Sequence, residues 1–416
     1  MKLLLILIVI NSLIYFSNSY TLKYVGSFKT PNPAFLKFAK IRDNAPVSLL
    51  ISSFTVDPRK WGDIKVIENV GSYIQNISRV RIKQVASKNL YWPNEVNVVP
   101  KGAFLVGRNY IWTADGFLVP LKNTGGIHLI EVKNDGTFSE THEISTKKNG
   151  WFYHSVTWID MNGDGKLDVV TARALKPLWG QDKGELIWLE NPGIDFDKKK
   201  WKEHLIETGP DVSFSIDKLS ENSNKIHIIA TEFFGKRISL TEMEIGKPKP
   251  TVEYHRAIDT TIGSAYHVEI VDLEDNGKKS LLVTNHETKA ENGAVFIYDI
   301  PFENLRSGTF KRHKIAKDFV IRGRGFNEAV PGIAYSIYPN NNLRKGNKHI
   351  VISGDGSHQA YLLKPKESYK YEKSVIRNVG GTCGSLAFED VDNDGWKEIF
   401  IPNYDSGEVF VYKFQK

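Results

Sequence analysis

Two nine-residue stretches hold the densest set of side chains able to do chemistry. Asp160-Met161-Asn162-Gly163-Asp164-Gly165-Lys166-Leu167-Asp168 reads D-x-N-x-D-G-x-x-D, and Asp390-Val391-Asp392-Asn393-Asp394-Gly395-Trp396-Lys397-Glu398 reads D-x-D-x-D-G-x-x-E. Oxygens at positions 1, 3 and 5 converge on one point because the glycine at position 6 lets the chain turn sharply. Position 7 (Lys166 or Trp396) offers a backbone carbonyl, and position 9 (Asp168 or Glu398) a further carboxylate. Hard oxygen donors at this density suit Ca²⁺. The competing reading is an Asx-rich hairpin without metal. Mutual repulsion of the clustered carboxylates favours a cation. A third copy starts at Asp272 and keeps Glu274 and Asn276 but has Ser280 at position 9, so it holds a weak site or none.

A helix–loop–helix calcium site would need a Glu at position 12 and flanking helices. Position 12 is Thr171 in one loop and Ile401 in the other, both inside β-rich runs. Strands must therefore position these loops. The repeated unit is an alternating strand, an Asp/Asn/Gly loop, a β-rich run, a polar loop and another alternating strand. Its second-strand core recurs seven times, as LLIS (Leu49), FLVG (Phe104), DVVT (Asp168), HIIA (His227), LLVT (Leu281), IVIS (Ile350) and EIFI (Glu398). Third strands follow in step from GDIKVIENV to GEVFVYKF. Six fourth strands follow as well, the first read as YIQNISRVRI. The seventh is supplied by YTLKYVGSF, Tyr20 to Phe28, at the other end of the chain. Ring closure of this kind removes exposed sheet edges. The expectation is all-β: a seven-bladed propeller with four-stranded antiparallel blades over residues 20–416. A pair of β-sandwiches is the alternative, but it does not explain the in-step repeat.

The loops at 160–168 and 390–398, with their flanking strands, resemble the FG-GAP/VCBS repeat family of integrin-alpha-like propellers. That resemblance implies calcium loops between the first two strands of a blade, where the ion stiffens the fold and function lies elsewhere. The run YHSVTWIDMNGDGKLDVVTAR…GELIWLENPG…WKEHLIET also resembles the propeller part of aldos-2-ulose dehydratases, which add cupin domains beyond it.

In an up-and-down blade the strand one-to-two loops lie on one face. The strand-one entries and strand two-to-three loops lie on the other, around the channel. Two entries match, Tyr153-His154 and Tyr266-His267, and a third keeps Tyr335. The second-to-third loops add Arg173, Trp179, His286, Glu287 and His358. Polar and aromatic groups converging on a channel mouth make the default ligand site. They would suit a sugar or small anion, a transition metal held by histidines, or acid–base catalysis by His154 and His267. The plainer reading makes both histidines packing residues of the repeat.

Lys2, the apolar run Leu3 to Phe16, and Ser17 and Ser19 before Tyr20 have the layout of a secretory signal peptide, residues 1–19. The run is too short for a membrane span. The single cysteine, Cys383, rules out internal disulfides, and is read as a buried packing residue or a thiol free to react or pair with another chain. The net charge of +7 is dispersed, without a basic patch interleaved with aromatics, which argues against nucleic acid. Asn76-Ile77-Ser78 is an acceptable glycosylation sequon in what reads as an outer strand. The leading expectation is a secreted, calcium-stabilised propeller binding a glycan or an extracellular protein at the mouth opposite the calcium loops. A carbohydrate lyase or dehydratase using the mouth histidines is one alternative; a structural interaction protein is another.

Overall fold

A computed structural model describes residues 20–416 except 56, 58, 105–106, 117–123, 147, 178–179, 221–223, 324–327, 343 and 345. Seven four-stranded sheets follow one another, with strands in sequence order within each of the first six. All strand pairs within them are antiparallel. The innermost strands are Pro33–Ala39, Glu95–Val98, Trp151–Ile159, Phe214–Asp217, Ala265–Val271, Ala334–Ile337 and Ala387–Glu389. We number the blades 1 to 7 in that order. Blade 7 takes its outer strand from the other chain end: Thr21–Lys29 pairs with Glu408–Gln415, from Thr21 opposite Gln415 to Lys29 opposite Glu408. A small ribbon, Thr124–Gly125 with Lys148–Asn149, lies beside blades 2 and 3.

The second strands read as unbroken apolar runs because both faces of each blade are covered. Successive side chains point to opposite faces, so neighbours in sequence serve different interfaces. Val169 packs in the core between blades 2 and 3, and Val170 in the core between blades 3 and 4. Likewise Leu49 and Ile51 face blade 7 while Leu50 faces blade 2. Seven such cores alternate with the seven blades. Each fully buried Leu, Ile or Val contributes roughly 1.5–3 kcal/mol, which supplies cohesion without a disulfide.

Two strand assignments need correction. The second strand of blade 2 is Asn109–Ala114, not the FLVG run. Phe104 of that run lies outside any strand and stacks on Phe196 at 3.5 Å, so its apolar character serves a loop contact. The outer strand of blade 1 is Lys83–Ala86, and most of YIQNISRVRI lies in a kinked 3-10 segment, Val70–Arg79. Its Val70, Ile74 and Ile77 are spaced three or four residues apart and pack into the core between blades 7 and 1. Asn76 is thus exposed on a helical segment, where Ser78 Oγ donates to its Oδ1 at 2.8 Å.

Candidate functional site

The loop 160–168 joins the first two strands of blade 3, and the loop 390–398 those of blade 7. Both close as Asx turns. Asp160 accepts the Gly163 and Gly165 N–H groups at 2.7 and 3.0 Å, Asn162 accepts Asp164 N–H, and Asp164 accepts Lys166 N–H. The Lys166 ammonium closes on Asp164 Oδ2. Asp168, fully buried, accepts Met161 N–H at 2.9 Å and Asn191 N–H at 2.8 Å, one on each oxygen. Burial nonetheless outweighs these bonds and pushes its carboxyl up to about 6.

In blade 7, Asp390 Oδ2 accepts Gly395 N–H at 2.9 Å and Glu398 Oε2 accepts Val391 N–H at 2.9 Å. The remaining oxygens differ. Asp390 Oδ1, Asp392 Oδ1 and Glu398 Oε1 are buried with no hydrogen-bond partner. Asp390, Asp392 and Glu398 each present an oxygen within 4.8 Å of the others, the one such acidic or histidine cluster among the described residues. The Lys413 ammonium sits beside them, at 2.5 Å from Asp392, 2.8 Å from Asp394 and 2.9 Å from Glu398. Glu398 Oε1 thus has an ion-pair contact without hydrogen-bond geometry. Burial pushes the Glu398 carboxyl up to about 7. A loop that needs a side-chain ammonium to balance its charge is chemically suited to a hard cation. In the third loop, Asp272 accepts Asn276 and Gly277 N–H groups, and Asn276 Nδ2 donates to Glu274.

On the opposite face, two adjoining cavities open at the channel. The outer one, about 270 Å³, is walled by Phe35, Phe54, Trp92 and Tyr404, with Tyr266, His154 and Asp355 also lining it. Phe54 and Trp92 stack at 3.6 Å, and Tyr404 lies 5.3 Å from Phe54, its hydroxyl donating to the Phe54 carbonyl. The inner cavity, about 200 Å³, is lined by residues of all seven blades, including Lys37, Glu95, His154, His267 and Tyr335. Burial holds His154 and His267 down at about 4, so both are neutral at neutral pH. Burial pushes Glu95 up to about 7 against the pull of Lys37, and raises Glu269, which accepts both N–H and O–H of Ser336. His267 Nδ1 is buried without a hydrogen-bond partner, its ring edge-on to Tyr335 at 5.1 Å. The channel interior is polar, with the Lys37 side chain set among neutral imidazoles and buried acids.

The structure divides the residues expected at this mouth. His154, Tyr266, His267 and Tyr335 line it. Tyr153 and Arg173 do not: Arg173 is buried, donates to Tyr153 Oη and Glu203 at 3.0 Å, and pairs with Glu185 at 2.6 Å. A guanidinium removed from water needs such partners, and these hold blade 3 together. His286 stacks on Tyr266 at 4.6 Å and donates to the Pro331 carbonyl, so it buttresses the wall. Glu287 accepts Ser264 N–H at 2.6 Å within a turn. His358 lies 3.7 Å from Glu328, beyond the cavity lining. Trp179 lies outside the described residues. Cys383 is fully buried, and burial pushes its thiol up to about 12.

Sequence reasoning missed Phe54, Trp92 and Tyr404. A positional signal was available. The residue directly after each second strand is Phe54, Asp115, Lys176, Phe233, His286, Gly354 or Tyr404, and only the polar His286 was singled out. It also missed Lys413, which faces Glu398 across the sheet.

Residues 109–171 match the family described as FG-GAP-like repeat, a stretch that includes the Asp160–Asp168 loop. No curated protein matches the chain. Among solved structures, a crystal structure of a protein from Lactobacillus plantarum is similar at 13% identity and TM-score 0.47, over 84% of each chain. The chain is a seven-bladed β-propeller in which residues 109–171 match an FG-GAP-like repeat.

Proposed function

We propose that this protein is a secreted glycan-binding propeller, stiffened by calcium on the face away from its ligand. The mouth carries the reading: stacked aromatic rings beside a channel lined with polar side chains. A sugar has C–H faces that pack on aromatic rings and hydroxyls that need hydrogen-bond partners. His154, His267 and Tyr335 line the channel with polar groups of the kind hydroxyls pair with, and the stacked rings of Phe54 and Trp92 favour a ligand with C–H faces over a bare ion. Calcium would sit on Asp390, Asp392 and Glu398, beside Asp394. The Asp160–Asp168 loop is the weaker site because its oxygens already serve loop N–H groups. Secretion rests on the N-terminal leader pattern. Among the described residues no helix is long and apolar enough to cross a membrane.

A glycan array probed with protein from residue 20 onward tests the main reading. Wild type is expected to retain one glycan class, and Trp92→Ala to lose it without a change in melting temperature. Equal retention by both proteins would overturn the mouth as the site. N-terminal sequencing of the exported protein is expected to begin at Tyr20; retention of Met1 would overturn cleavage.

A further inference from the structure

A second pocket lies on the same face, towards the rim of blades 1 and 2. It is a cavity of about 270 Å³ lined by Trp61, Asn89, Tyr91, Asp115, His128 and Glu143, among others. Trp61 is 43% exposed and tilts against Tyr91 with ring centroids 4.7 Å apart. The polar side is built and rigid. Asp115 and His128 are buried; Asp115 Oδ1 accepts His128 Nε2–H at 3.0 Å and Gly126 N–H at 2.7 Å. Asp115 Oδ2 accepts Tyr91 N–H at 2.8 Å, which fixes the backbone that carries the aromatic wall. Asp115 follows the second strand of blade 2, the position that Phe54 and Tyr404 hold in blades 1 and 7. That position puts the rim pocket on the same face as the mouth.

Tyr91 and Trp92 are consecutive residues. Tyr91 belongs to the rim pocket, while Trp92 stacks on Phe54 in the mouth. One dipeptide separates two pockets that each carry an aromatic pair, the mouth the more apolar and the rim the more polar. A ring-sized ligand fills one pocket; a chain of linked rings crosses the dipeptide and fills both. We infer that the rim pocket at Trp61 is a second glycan subsite, and that the ligand is a linear oligosaccharide running from the channel mouth over Tyr91-Trp92 to the rim.

This inference rests on the mouth as a glycan site, and the test separates the two. Ladders of one to eight units, prepared from the polysaccharides the array retains, are titrated calorimetrically into wild type, Trp61→Ala, Trp61→Phe and Trp92→Ala. Affinity is expected to rise by about tenfold at the length that reaches the rim, a step matched to the worth of one aromatic contact. Trp61→Ala should remove that step and leave short oligomers bound as in wild type, Trp61→Phe should keep most of it, and Trp92→Ala should weaken every length. Affinity independent of length, or equal loss for short and long oligomers in Trp61→Ala, overturns the rim subsite while the mouth stands. Retention of no glycan by wild type overturns both.

Discussion

The loops of blades 3 and 7 share one Asp-rich pattern and settle their charges differently. Asp168 and Glu398 start alike, each accepting the N–H seven residues back, Met161 or Val391, at 2.9 Å. They part at the second oxygen. Asp168 gives it to Asn191 N–H, whereas Glu398 turns it towards Asp390, Asp392 and Lys413. The cross-strand partner distinguishes the two blades. Glu398 lies opposite Lys413, while the register of blade 3, with Val169 opposite Leu189, puts Glu190 in the matching place. An acidic neighbour adds no counter-charge, so Asp168 is satisfied by the N–H groups of Met161 and Asn191, and the loop's ammonium comes from its own Lys166 on Asp164. The blade 7 loop takes its counter-charge from the neighbouring strand, at Lys413. An Asp-rich pattern thus states which oxygens can converge, and the next strand decides whether they do.

Four measurements sharpen or break this contrast. The largest effect is expected for Asp168→Ala, which strands two buried N–H groups and should cost about 2–5 kcal/mol. Urea melts should give the same loss with calcium or with chelator; a loss seen only with calcium would make Asp168 primarily a metal ligand. Next, calcium at a hundredfold excess over its Kd should stabilise wild type by about 2.7 kcal/mol. Asp390→Asn should abolish most of that gain and Asp160→Asn little of it, as read by thermal shift; the reverse order would break the comparison. Third, Lys413→Met should destabilise the calcium-free protein by about 2 kcal/mol, because three acids lose their counter-charge. Calcium should recover most of that loss, and failure to do so would make Lys413 a fixed structural ion pair. Last, Lys166→Met should change stability by about 0–0.5 kcal/mol, since its pair with Asp164 is partly solvated. A loss comparable to that of Lys413→Met would erase the distinction between the two lysines.

The ring itself was legible in the chain. Period-two strands buried on both faces leave unbroken apolar runs, and the missing seventh outer strand pointed to Tyr20–Phe28. Where two apolar runs stood close together, as at Phe104 and Tyr110, periodicity could not say which was the strand. Val70, Ile74 and Ile77 read as part of a strand because their helical spacing spans too few turns to dominate. The site was half legible. His154 and His267 could be placed by repeat position, but Arg173 and Tyr153 looked like ligand groups because their partners Glu185 and Glu203 arrive from other strands. Phe54, Trp92 and Tyr404 were passed over, since nothing in an aromatic letter tells a cavity wall from a packed interior.

The strand Thr21–Lys29 is also a latch. Ser27 and Lys29 bind Glu408 from about 380 positions away along the chain, at 2.6 and 2.8 Å. Joining ends so distant costs only about 2–3 kcal/mol more in loop entropy than closing a twenty-residue turn, so the latch is affordable in equilibrium. Its burden is kinetic. Blades 1 to 6 can form as the chain emerges, but the seventh waits for the final residues to return to the first. Until then the partner edge at Glu408–Gln415 stays open, and a second chain's N-terminal strand could occupy it. The seam that completes the ring is therefore also the place where two rings can exchange ends.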